Sequence, residues 1–351
     1  MTNQFDSYRP PQGPRKKGKR AEGSFEASMV PRMQFDSYYG RPVVKAPPWE
    51  SPIGVYLFLG GVAGGSSLLA LGAHASRRRL LRRNARLSAF TAASVGSVAL
   101  IVDLGRPERL LNMFRVFKLS SPMNMGSWIL GGFASLAGLA ALPEIDDLTG
   151  QRLPLPGFLR TLLHKAAGPA GVGSALLGSP LAVYTAVLFA DTSNPTWNGA
   201  KDHLPYVFVS SATLAASGLA LVTTPVTETG PVRALAAAGA ACDLAATKIM
   251  EDNMDPTAAE PLHTGTPGKL LKWSERMVAL GGVGALLARH RAVGVVSGLA
   301  LMAGSALTRF GVLHAGLEAA KDPRYTIEPQ LRRLAKRQQA GTTGDSITTA
   351  G

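Results

Sequence analysis

Residues 53–74 read IGVYLFLGGVAGGSSLLALGAH, an apolar run without Asp, Glu, Lys or Arg. A helix needs about 20 such residues to cross the ~30 Å hydrocarbon core of a bilayer. Helices are the economical way to satisfy backbone polar groups in lipid, and no run in this chain has the pattern of a strand barrel. The stretch therefore predicts a transmembrane helix and sets the fold class.

Similar stretches recur along the chain, and we predict an all-α integral membrane protein with eight transmembrane helices. The predicted spans are residues 53–74, 87–104, 126–142, 162–190, 206–223, 231–250, 277–288 and 292–311. The seventh is short, and the fourth is over-long and contains Pro180, at which we expect a kink. The transmembrane domain, 49–315, should form two four-helix bundles at about 53–190 and 204–311, flanked by polar tails 1–48 and 316–351.

The composition of the 351-residue chain agrees with a membrane protein. Only 17% of its residues are charged, whereas soluble domains average about 25%. The single cysteine, Cys242, excludes a disulfide framework and any iron–sulfur or cysteine-based zinc site built from this chain alone. The net charge of +14 would suit nucleic acid, but its distribution favours the lipid bilayer as partner and predicts no nucleic-acid binding.

The N-terminal tail contains a short imperfect repeat, in which the word QFDSY at 4–8 recurs at 34–38. Such duplicated aromatic and acidic words could dock on a partner, and a chance repeat in a linker is the alternative. The basic run at 15–20 is followed by no hydrophobic core, so it does not predict a secretory signal.

Charge in the short loops predicts the orientation. Eight spans place both termini on one side, which we call face A, and we call the opposite side face B. Short cytoplasmic loops are rich in Lys and Arg. Six arginines lie between spans one and two, on face B: Arg77, Arg78, Arg79, Arg82, Arg83 and Arg86. We therefore expect a multi-pass protein of the bacterial plasma (inner) membrane with its termini on the outer side.

The positions of the histidines and the lack of two sequence motifs argue against several classes of chemistry. All six histidines lie at predicted span ends or in loops, and they are split between the two faces. A membrane-embedded bis-histidine haem is therefore not expected. The chain also lacks a Walker loop and an HExxH motif. We predict no haem, no iron–sulfur cluster and no metal in this chain.

Polar side chains concentrate where the first four predicted spans reach face A. Asp191 follows Tyr184 by seven residues, or ~10 Å of helix rise, which places Tyr184 within the A leaflet. A lipid-accessible cavity with aromatic walls and a few donors suits a quinone headgroup. Oxidation of a quinol also needs a proton acceptor, a role that Asp103 or Glu50 could fill. Interfacial tryptophans, loop salt bridges and interhelical hydrogen bonds are the structural alternatives.

The second half carries one ionisable pair inside a predicted span. Asp243 lies about seven residues inside the A end of span six, with Lys248 nearer that end. Burial of such groups in a membrane is costly, so they are functional candidates. A proton route and a structural ion pair are both open.

Several motifs resemble the NrfD/PsrC-like (polysulfide reductase type) membrane subunits over about residues 40–330. The motifs on which the resemblance rests are PPWE at 47–50, YLFLGG at 56–61, DLGRPER at 103–109, KLSSPMNMGSW at 118–128, PLAVYT at 180–185 and DPRYT at 322–326. The resemblance implies an eight-helix subunit without its own cofactor, which binds quinone near the face contacting a four-cluster ferredoxin-like iron–sulfur subunit. That partner usually links to a molybdopterin oxidoreductase catalytic subunit.

On this basis we expect a quinone-reactive membrane anchor of a multi-subunit oxidoreductase, with menaquinone or ubiquinone as substrate and no catalytic centre in this chain alone. By this resemblance, Tyr184 corresponds to the family's tyrosine in the fourth span, and Asp103 and Arg106 correspond to its Asp–Arg loop. The predicted quinone-binding residues are Tyr184, Tyr56, Trp49, Asp103, Arg106, Ser127 and Trp128. Those predicted for proton transfer are Asp103, Glu50 and Asp243, and those predicted for the partner interface are Arg109, Asn112, Arg115 and Asn124.

Two alternatives stay open. A passive membrane anchor would hold a catalytic subunit without binding quinone. A proton- or ion-translocating transporter would use Asp243, Lys248 and a kink at Pro180.

Overall fold

The fold is helical throughout the part of the chain that the structure, a computed structural model, describes. The described residues are 42–49, 51–104, 106 and 108–340, without the side chain of Arg109. Within these ranges there is no β-strand. The predicted repeat words at 4–8 and 34–38, the side chain of Arg109, Glu50 and residues 341–351 lie outside them.

Eight helices of the described chain have at least 20 residues, and each overlaps one predicted span. They are α1 (Ser51–Ala75), α2 (Arg79–Asp103), α4 (Pro122–Leu148), α5 (Gly157–Ala190), α7 (Leu204–Thr223), α8 (Gly230–Asn253), α10 (Gly265–Leu287) and α11 (Arg291–Ala319). Shorter helices connect or follow them: α3 (Arg109–Asn112), α6 (Pro195–Gly199), α9 (Pro256–His263) and α12 (Pro323–Gln339).

Six of the long helices are apolar enough to cross a membrane by length and composition: α1, α2, α4, α5, α7 and α11. The protein is therefore a multi-pass membrane protein. The helices α8 and α10 are more polar, since α8 carries Asp243 and Lys248 while α10 carries Lys269 and Lys272 in its second turn. The prediction of eight spans thus stays a prediction for these two helices.

The helices extend beyond the predicted apolar cores. α2 begins at Arg79 instead of residue 87, and α10 begins at Gly265 instead of residue 277. Both extensions contain charged residues that a membrane interior would not accommodate cheaply, so they fit the headgroup region. α5 runs without interruption through Pro169 and Pro180. Within the predicted polar C-terminal tail, α11 continues to Ala319 and the polar helix α12 follows.

Close packing between small residues joins the two halves. α1 packs against α2 and α5 and also against α7, which packs against α8 and α11. Across the halves, a Cβ atom on Gly65 in α1 would lie 2.7 Å from the carbonyl oxygen of Ala212 in α7. Within the halves, one on Gly64 would lie 2.5 Å from that of Gly178, and one on Gly218 would lie 2.6 Å from that of Gly298. These glycines therefore permit backbone contact between helices, as small residues do in membrane bundles.

Basic side chains cap the C-terminal ends of two helices at face B. The Arg291 guanidinium donates to the carbonyls of Leu221, Val222 and Thr224 at the end of α7. Arg233 likewise donates to the carbonyls of Ala285 and Leu286 at the end of α10. Since the last carbonyls of a helix have no partner within it, these arginines satisfy them and complement the helix dipole.

At face A the short helices form a layer over the bundle. α12 packs on α9 and α6. Arg332 of α12 pairs with Asp255 at 2.6 Å, and Arg324 pairs with Glu260 at 2.5 Å. The hydrogen bond from Arg324 to Glu260 raises the pKa of this guanidinium above its usual range. The pairs hold α12 across the face that carries both termini of the described chain.

Candidate functional site

Two tyrosines from different helices meet inside the face-A half of the bundle. The hydroxyl of Tyr184 in α5 is hydrogen-bonded to the hydroxyl of Tyr56 in α1. Tyr56 is buried and Tyr184 is half-buried. The ring of Tyr184 rests on the backbone of α4 at Gly126, where any side chain would collide with it. Three helices therefore position this pair.

Tyr184 also lines a groove between α4 and α5. The groove is open along the outside of the helices and has a volume of about 590 Å³. Its walls are mostly apolar and include Met125, Pro180 and Val187. Asp191 and Lys201 line its face-A end. A flat apolar ligand with one polar edge fits such a groove, with the tyrosine hydroxyl as the polar contact in its wall.

Two predicted residues of α4 have hydrogen bonds of their own near this groove. Ser127 is buried beside Gly126 and donates to the carbonyl of Met123 at 3.1 Å. Trp128 is 38% exposed and donates from Nε1 to the carbonyl of Val116 at 3.2 Å. Its ring packs edge-on against Phe114 and Phe117. Trp128 thus holds the loop before α4 and is not among the residues that line the groove.

Asn124 organises the same loop. Its side chain donates to the carbonyls of Met113 and Val116 at 3.0 and 2.8 Å and accepts from the Lys118 amide at 2.7 Å. Asn112 and Arg115 are exposed nearby, and Arg106 is exposed before α3. Asp103 is half-buried at the end of α2. The predicted interface residues with described side chains therefore share one face-A loop.

Trp49, which the sequence predicts in the quinone-binding set, is not among the residues that line the groove. Its ring stacks on Trp197 of α6 at 5.4 Å and approaches Phe189 at 5.5 Å. Trp197 is buried, stacks on Phe189 at 4.5 Å, and donates from Nε1 to the carbonyl of Val312 at 2.8 Å. The aromatic stack fixes the entry of the chain into α1, and the quinone contact expected of Trp49 stays a prediction.

In the second half, the charge of Asp243 is influenced by a buried arginine that the sequence did not predict as part of a site. Arg309 of α11 is buried, with its guanidinium 3.9 Å from the ring centre of Phe208 and donating to the Phe208 carbonyl at 2.6 Å. Its charge attracts Asp243 although no direct ion pair joins the two side chains, and Asp243 accepts from Ser210 at 3.1 Å. The predicted pairing with Lys248 is wrong, because Lys248 is exposed and pairs with Asp252 at 2.6 Å.

The sequence alone could have indicated Arg309 as a candidate residue. It is the one charged residue within the predicted span 292–311, and isolated intramembrane charges are functional or paired by default. For Lys201 the signal was absent, since only the folding of α6 against α9 and α11 brings the start of α7 near α5.

The ranges that the structure describes contain no cluster of metal-ligating side chains. No group of three or more His, Cys, Asp or Glu side chains is placed there to hold an ion. Cys242 is free and exposed.

The sequence model of the family described as "Polysulphide reductase, NrfD" matches residues 43–230. This range is more than half of the 351-residue chain and contains both tyrosines and the whole α4–α5 groove. A comparison with curated proteins gives no match.

Proposed function

The chain belongs to the polysulphide reductase NrfD family, and on this premise we propose that it is the quinone-reactive membrane anchor subunit of a multi-subunit oxidoreductase. The family consists of membrane subunits of quinone-linked oxidoreductases. The observation that carries the proposal is the Tyr56–Tyr184 hydrogen bond at the wall of an open, mostly apolar groove.

The groove suits menaquinone or ubiquinone as a substrate. Its apolar walls accept the ring and the isoprenoid tail, and its open side faces the lipid from which such a molecule arrives. The Tyr184 hydroxyl donates to one quinone carbonyl while it accepts from the Tyr56 hydroxyl. A hydroxyl has one donor and two acceptor positions, so both hydrogen bonds are possible at once. Ser127 supports the α4 wall at the same depth.

Oxidation of a quinol releases two electrons and two protons. This chain is proposed to hold no redox centre, so the electrons pass directly to a cluster of the iron–sulfur partner. For the protons, Asp191 and Lys201 give the groove a polar end at face A. Our proposed proton-transfer residues remain Asp103, at the end of α2, and Glu50, which precedes α1 in the sequence.

The partners proposed are those typical of the family, a four-cluster ferredoxin-like iron–sulfur subunit linked to a molybdopterin catalytic subunit. Arg106, Arg109, Asn112, Arg115 and Asn124 would meet the first of these. We further propose eight spans in two four-helix bundles, in a bacterial inner membrane, with face A outside. Packing of α8 and α10 against the apolar helices α7 and α11 supports their inclusion.

Purification in mild detergent tests the proposal. Mass spectrometry of the co-purifying proteins, together with analysis of quinone in the lipid extract, should recover a multi-cluster iron–sulfur protein and bound quinone. Recovery of the iron–sulfur protein without quinone would favour a passive anchor. A stable single subunit with neither would contradict the proposal.

Ion translocation is a second candidate, and the burial of the two charged residues Asp243 and Arg309, which interact electrostatically, is the observation that favours it. Proteoliposomes containing the isolated subunit provide the test. A proton flux that Asp243→Asn abolishes would support translocation, whereas proteoliposomes no leakier than protein-free vesicles would exclude it.

A further inference from the structure

We propose that face B carries a binding site for an anionic phospholipid, in a basic pocket between α2, α4 and α5. The pocket has a volume of about 250 Å³ and is lined by Arg82 and Arg86 of α2, Glu144 of α4, and His164 and Lys165 of α5. It lies at the opposite end of the first four spans from Tyr184, and the proposed quinone chemistry does not use it.

The charges around the pocket are not balanced. Glu144 accepts from Arg86 at 3.0 Å and lies 3.3 Å from Arg82 Nε, so one carboxylate serves two guanidinium groups. Asp147 faces His164 at 3.8 Å. Lys165 lines the pocket and has no ion pair among the described residues. Asp147 lines the pocket together with Glu144, so the three cations Arg82, Arg86 and Lys165 outnumber the carboxylates by one.

The segment that contains Arg82 and Arg86 adds further positive charge to face B. Residues 76–102 contain six arginines and no acidic residue. One of them, Arg78, lies outside the pocket and donates to the carbonyl of Glu228 at 3.3 Å. Together the arginines give this part of face B a positive potential, which attracts an anionic headgroup.

The surroundings fit a lipid better than a soluble anion. A narrow void of about 10 Å³ between α1 and α5 borders the pocket, is lined by Leu71, Val172 and Gly168, and shares Arg86 with the pocket. A Cβ atom at Gly72 or Gly168 would meet no atom within 4 Å, so these positions leave the helix surface beside the pocket open. A headgroup in the pocket would thus leave its acyl chains against apolar surface. Basic pockets between transmembrane helices bind anionic headgroups in this way.

Native mass spectrometry of the full-length protein in mild detergent tests the site. Dioleoyl phosphatidylglycerol and dioleoyl phosphatidylcholine would be titrated separately into wild type, into Arg82→Gln/Lys165→Gln, and into Arg289→Gln/Lys272→Gln. The last variant removes the same charge from exposed positions outside the pocket. Arg86 is kept because it is the buried partner of Glu144.

Wild type should bind phosphatidylglycerol more tightly than phosphatidylcholine. Loss of two cations near the headgroup should lower this preference by roughly tenfold to thirtyfold, while the control variant keeps it. The milder Lys165→Gln variant should lose part of the preference if the double variant fails to fold. Equal affinity for both lipids in wild type, equal loss in the control, or displacement of the lipid by millimolar inorganic phosphate would overturn the proposal.

Discussion

The hydroxyl of Tyr184 in α5 is hydrogen-bonded to that of Tyr56 in α1, across 128 residues of sequence. Tyr56 is buried and has little freedom, whereas Tyr184 also reaches the wall of the α4–α5 groove. The inner tyrosine therefore orients the outer one. If quinone binds in the groove, Tyr184 contacts the substrate and Tyr56 is a positioning residue.

Replacing Tyr56 by Phe should weaken this orientation without removing the group that contacts quinone. A neutral hydrogen bond contributes about 0.5–1.5 kcal/mol, so we expect quinone-linked turnover to fall by roughly threefold. The KM for quinone should rise more than kcat falls, as measured on the purified complex. Tyr206→Phe is the matched control because Tyr206 is 68% exposed on α7. Identical losses in the two variants would argue against a positioning role.

Gly126 provides a second way to move Tyr184. A methyl group there would collide with the Tyr184 ring, so Gly126→Ala should displace the ring and lower quinone-linked turnover. Gly60→Ala adds the same methyl group to a helix at a place where nothing lies within 4 Å. Turnover measurements on complexes of equal subunit content should therefore separate the two. Wild-type turnover in Gly126→Ala would mean that the position of the Tyr184 ring is unimportant.

Asn124 should matter for assembly and not for quinone. Its side chain makes three hydrogen bonds to the loop before α4, each contributing about 1 kcal/mol. Asn124→Ala should loosen this loop and reduce the yield of co-purified iron–sulfur subunit, with quinone content per membrane subunit unchanged. Asn253→Ala, which removes one exposed hydrogen bond in α8, should leave the yield intact. If Asn124→Ala loses quinone and keeps the full yield of iron–sulfur subunit, Asn124 serves the quinone site and not the partner interface.

The buried Arg309 should be essential for stability. Arg309 donates to the Phe208 carbonyl and to the hydroxyls of Ser211 and Thr185, and its charge attracts Asp243. Removing it leaves buried acceptors without a donor, at a cost of about 1–3 kcal/mol, and leaves the Asp243 charge uncompensated. Arg309→Met should therefore lower the melting temperature in detergent strongly, while Arg276→Met, at an exposed position of α10, should not. The double variant Arg309→Met/Asp243→Asn should recover part of the loss, because it removes both charges. If the double variant is no better than Arg309→Met, the two residues do not act as a pair.

The sequence predicted the long helices because apolar runs of membrane-spanning length have few other uses. It placed Tyr56 and Tyr184 in one site, although not their direct contact, since pairing between distant helices depends on packing. Trp49 was grouped with them because interfacial aromatics at one depth look alike in sequence. The stack with Trp197 depends on α6, which is too short to leave a periodic pattern. α12 was missed for a similar reason, as its apolar residues are sparse and its docking rests on ion pairs.

The Tyr184→Phe variant tests the central claim most directly. Quinone-linked turnover of the purified complex would be compared with that of wild type and of Tyr206→Phe, at equal content of the iron–sulfur subunit. We predict a fall of about tenfold, corresponding to one lost hydrogen bond to the substrate, with assembly intact. Wild-type turnover in Tyr184→Phe would contradict the assignment of the α4–α5 groove as the quinone site.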